Sequence, residues 1–127
     1  MRDPLFFIYS GGNMEQFITY IDENVEKLQQ EEKALAASDR KDEANLVKIR
    51  INVYGICKTV FGVAEKQSAG ELLKEDYPKR LTKLSENWKV SYEKAKEHND
   101  VEKVVIEELK LQTLEEVKDK FLELWEK

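Results

Sequence analysis

The sequence predicts an all-α protein: an antiparallel helical bundle of four main helices plus a short connecting helix, with a break in the last helix near residue 112. Three observations point there. Only two prolines and five glycines punctuate 127 residues, and good helix formers, Glu, Lys and Leu, dominate the rest. Apolar residues recur at intervals of three and four along most of the chain, the spacing of one helix face. No stretch alternates apolar and polar residues as a half-buried strand would.

The first helix is expected to begin at Asn13, with Asn13 capping and Gln16 reaching back, and to bury Phe17, Ile18, Ile21, Val25, Leu28 and Leu35. Glu15, Asp22, Glu23, Glu26 and Lys27 face water. Ser38, Asp39 and Asp42 then offer caps for a tight turn, making a hairpin with the second helix, about Lys41 to Lys66. This second helix carries two apolar seams side by side, one through Leu46, Ile49, Val53, Ile56, Val60 and Val63, the other through Val47, Tyr54, Cys57, Phe61 and Ala64. Two seams need at least two partner helices, so the segment is expected at the centre of the domain.

Ser68 and Glu71 read as a capping box for a short helix that ends before Tyr77 and Pro78, and Pro78 suits the first turn of the third helix. The third helix has the stripe Leu81, Leu84, Trp88, Tyr92 and Ala95. Asn99 and Asp100 stop it and cap the next. Thr113 and Glu116, beside a phase slip at Leu111, predict the break in the last helix. Through Tyr92, Ala95 and the turn at Asn99-Asp100 one helical pair is similar to a tetratricopeptide hairpin, but no copy recurs one period away and no family is assigned.

The head, MRDPLFFIYSGGN, poses its own question. Residues 1–13 read either as an N-terminal arm, with Leu5 to Tyr9 covering an apolar groove, or as a mis-annotated leader. The second reading comes from the code: Ser10-Gly11-Gly12-Asn13-Met14 can be spelled by a purine-rich string like a bacterial ribosome-binding site ahead of a start codon. Residues 14–127 form a single helical-bundle domain, a size that buries a core without metals or disulfides.

Composition restricts the chemistry. A single cysteine, Cys57, excludes an internal disulfide and fits a reducing cytoplasm. A formal charge of −5 argues against a general phosphate-binding surface, so nucleic acid is disfavoured as a partner, and no run reaches membrane-spanning length. No cofactor and no metal site are expected. The lone His98 has Glu93, Glu97 and Glu102 nearby, but Ala95 stands where a Glu-x-x-His motif needs its carboxylate, and a histidine at a helix end is favoured by the dipole alone. Cys57 lies in an apolar seam with no nearby histidine, and there is neither a phosphate loop nor a nucleophile elbow. Catalytic residues are therefore not assigned.

Two features point to partners. On the remaining face of the second helix, Asn52, Gly55, Thr59 and Gly62 form a stripe of small and polar residues. Each mid-helix glycine costs about 1 kcal/mol against alanine, which suggests close approach by a helix of the same chain, a helix of a second copy, or a ligand. The third helix carries a basic surface of Lys79, Arg80, Lys83, Lys89, Lys94 and Lys96, suited to an acidic protein, to the acidic helices of a second copy, or to nucleic acid. The expected role is a non-enzymatic protein-interaction or self-associating module, with a nucleic-acid-associated regulator as the alternative. An inter-helix pocket, least favoured, would draw on Tyr54, Tyr92 and Asn52.

Overall fold

A computed structural model describes the backbone of residues 4–68 and 70–126, and the side chains from residue 12 onward within those ranges. It has four helices: α1 (Pro4–Ala37), α2 (Lys41–Gln67), α3 (Glu71–Glu97) and α4 (Val101–Trp125). Their connections are only a few residues long, which forces neighbours to run antiparallel. α1 packs mainly on α2 and α3 on α4, and the two hairpins join through α2 and α4, each of which meets all three other helices. α1 and α3 stand apart on either side of α2. The central position expected for the second helix is thus shared with α4.

The hairpin turns are built alike, 60 residues apart. Asp39 (φ 61°) and Asn99 (φ 54°) take the left-handed conformation, which short polar side chains tolerate better than most. In the first turn Arg40 N–H donates to Leu35 O and Asp39 N–H to Ala36 O; in the second, Asp100 N–H donates to Ala95 O and Asn99 N–H to Lys96 O. Both are Schellman closures, satisfying carbonyls that the helix end leaves free. Asp100 then caps α4 by accepting from Lys103 N–H at 3.1 Å.

At one level of the core each helix contributes one ring. Phe17 of α1 lies 5.0 Å from Phe61 of α2, 5.6 Å from Tyr77 of α3 and 5.4 Å from Phe121 of α4, centroid to centroid, mostly edge-on or tilted. All four are at most 1% exposed. Such contacts add to area burial and tie the two hairpins together at this layer. Tyr77 also donates its hydroxyl to the main-chain carbonyl of Cys57 at 2.8 Å, fastening α3 to α2.

Three expectations are corrected. α1 begins at Pro4, ahead of Asn13, so Asn13 is inside the helix and caps nothing; how Leu5 to Tyr9 pack lies outside the described side chains. No separate short helix follows α2, because α3 runs without interruption from Glu71 through Pro78. Pro78 removes one helical hydrogen bond, usually a break, but the flanking sites hold: Tyr77 is fully buried, and Arg80 pairs with Asp76 at 3.0 Å and reaches Gln67 at 2.7 Å. Ser68 caps no short helix; its hydroxyl donates to Asp76.

α4, finally, is unbroken near residue 112. Its true seam is Glu107, Lys110, Leu114, Val117, Phe121 and Leu124, spaced by three and four throughout. Two charged residues fill the first two seam positions, and that is why the apolar pattern reads as a slip. Glu107 is 6% exposed. Lys110 Nζ lies 3.3 Å from its Oε2, without an aligned hydrogen bond there, and 4.7 Å above the Trp88 ring. Thr113, expected to cap, is buried and donates its hydroxyl back to Leu109 O at 2.8 Å.

Candidate interaction face on α2

Of the two seams on α2 only one is closed. Val47, Tyr54, Cys57, Phe61 and Ala64 are all buried, whereas in the other seam Val53 alone is buried and Ile56 and Val63 remain 39% and 41% exposed. The reason is the layout: the backbones of α1 and α3 flank α2 without approaching each other, their rings meeting only on its inner side, so among the described residues no helix lies across its outer side.

The stripe sits on that outer side. Asn52, Gly55 and Thr59 are exposed and Gly62 is half-buried. A Cβ placed on Gly55 or on Gly62 would meet nothing within 4 Å. Among the described residues, then, no helix of the same chain makes the close approach that one of the three readings of the stripe supposes. Thr59 donates its hydroxyl to Gly55 O at 3.1 Å, so its hydrogen-bonding capacity is partly used within the helix.

Two open depressions adjoin the stripe and share Thr59 and Val60. Toward α1, about 820 Å³ is lined by Asn52, Gly55 and Ile56 together with Ile21, Asp22 and Val25 of α1. The charge here is balanced, with Lys58 Nζ on Asp22 Oδ1 at 2.8 Å. Toward α3, about 380 Å³ is lined by Val63, Arg80, Lys83, Leu84 and Asn87. The structure therefore joins the stripe to part of the basic surface.

The basic surface itself divides. Arg80, Lys83, Asn87, Val90 and Lys94 succeed one another at intervals of three and four, one line along the α2 side of α3. At about 100° per residue, Lys89 and Lys96 point away from that line, and the exposed Glu86 and Glu93 stand between. Lys79 lies at the outer edge. Arg80 is committed to Asp76 and Gln67, a clamp on the α2–α3 turn, and Lys96 sits 5.0 Å over Tyr92. Trp88 packs against the core and Tyr92 is half-buried, so neither offers a free ring for base stacking.

The remaining candidates do not converge. Tyr54 is buried on the inner side of α2 while Asn52, two residues away, is outside, and Tyr92 is on another helix. Burial pushes the Cys57 thiol up to about 12 from its ordinary 9.0, which removes the thiolate a nucleophile needs. Tyr20 and Tyr77 are raised too, chiefly by burial. His98 ends α3, its N–H on Lys94 O. Among the described residues no group of three or more His, Cys, Asp or Glu could hold a metal ion, and no helix is long and apolar enough to cross a membrane.

Sequence reasoning missed the openness of Ile56 and Val63. The signal was present in the doubled seam, since a helix with apolar residues on two faces and small residues between them has more surface than three partners cover. Compared with protein-family models, curated proteins and solved structures, the chain matches none.

Proposed function

We propose that this chain is a non-enzymatic interaction module that receives a helix, of its own copy or of another protein, on the outer face of α2. The observation behind the reading is the open space over Gly55 and Gly62. Two mid-helix glycines surrender about 1 kcal/mol each, and no contact among the described residues needs them. A surface that must admit another backbone closely is one setting in which that cost is offset. The exposed Ile56 and Val63 beside the stripe supply apolar area for such a contact.

The test is in-cell crosslinking from a photoreactive residue replacing Thr59, in the natural background and with Gly55→Leu and Gly62→Leu. The expected result is a crosslink to a polypeptide, self or other, that the leucines abolish while helicity and Tm are kept. Absence of any crosslink from this position, with the protein folded, contradicts the reading.

A further inference from the structure

We infer that the occupant of the α2 groove is an amphipathic helix of another protein, with carboxylates along the edge that meets α3. The inference rests on the docking role just proposed and adds the partner's chemistry. The floor is apolar, with Ile56, Val60, Val63 and Leu84 between the two walls. Such a floor takes the apolar face of a helix. The walls differ in charge. On the α1 side Asp22 and Lys58 neutralise each other. On the α3 side Arg80 is neutralised by Asp76, but Lys83 and Lys94 are exposed, lie on one line with Val90 (55% exposed), and have no carboxylate among the described ion pairs. Lys83 and Lys94 are about 16 Å apart along the axis, three helical turns, so a partner edge with acidic residues every three or four positions matches both.

A second copy fits less well. Two-fold pairing with antiparallel α2 helices lays the α3 line on its own copy, Lys83 and Lys94 among like charges, and parallel pairing sets Lys66 against Lys66. Head-to-tail docking would offer the outer line of α4, Glu108, Gln112, Glu115 and Asp119, all exposed, which is acidic but has no apolar side chain for the floor.

The experiment titrates the full chain with two synthetic helical peptides that share one leucine face, one edged with Glu and the other with Lys, followed by amide NMR at low salt. The Glu peptide is expected to bind at least about tenfold more tightly, moving the signals of Thr59, Val63 and Asn87, and the preference should vanish in a Lys83→Glu, Lys94→Glu variant. Equal binding of the two peptides, binding elsewhere, or no binding overturns the inference. A Thr59 crosslink to a second copy would also overturn it while leaving the docking role intact; no crosslink at all removes both.

Discussion

Along α2, the side that carries Tyr54, Cys57, Phe61 and Ala64 is at most 1% exposed, while the side that carries Asn52, Gly55, Ile56 and Val63 is open between two helices whose backbones do not approach each other. The inner side holds the ring layer and the Tyr77 hydrogen bond; the outer side holds two glycines where an added Cβ would meet nothing within 4 Å among the described residues. Helices in proteins owe most of their stability to the packing of one face rather than to intrinsic propensity. A well-packed inner face therefore lets the outer face carry residues chosen for something else.

The contrast is broken most severely at Phe61. Truncation to Ala removes one of four interlocked rings and should cost about 3–5 kcal/mol, whereas Ile56→Ser on the outer side should cost less than about 1 kcal/mol. Urea denaturation of the two variants reads both, and similar losses would show that the outer side is packed after all.

A smaller effect separates the sides by pH. Cys57 and Tyr77 on the inner side keep their protons when folded to a higher pH than when unfolded, so the unfolded state binds fewer protons at alkaline pH and stability must fall as pH rises. For Cys57 the loss begins near its ordinary 9.0 and continues toward about 12, with a limiting slope of about 1.4 kcal/mol per pH unit for one group. Thermal unfolding from pH 7 upward should therefore show a decline that is shallower in Cys57→Ala. An identical decline in the variant would exclude Cys57 as a source.

Much of this was legible in the residues. The three-four spacing from Phe17 to Leu28 and from Leu114 to Trp125 identifies helices because burial alone selects that period, and Asp100 announces a cap through a local hydrogen bond. Where the sequence misled, a local signal was outweighed by tertiary contacts. Pro78 and the Ser68–Glu71 pair signal a helix boundary, but the Arg80–Asp76 clamp and the buried Tyr77 carry α3 across it. The Glu107–Lys110 pair hides a core register, because charge patterns are read as surface, whereas Glu107 is buried and Lys110 lies over the Trp88 ring. Glu116, expected with Thr113 to mark a break in the last helix, instead faces Arg50 of α2 at 3.3 Å. The site was half legible: the glycine stripe could be seen, but its openness depends on the backbones of α1 and α3 standing apart, which no local pattern encodes.

The most direct measurement is the unfolding free energy of Gly55→Ala, Gly62→Ala. With free space around both positions and helical backbone at each, the double variant should be more stable than the natural chain, by up to about 2 kcal/mol. A loss of stability instead would mean that another part of the same chain already occupies the outer side of α2, and the account of an open docking face would be wrong.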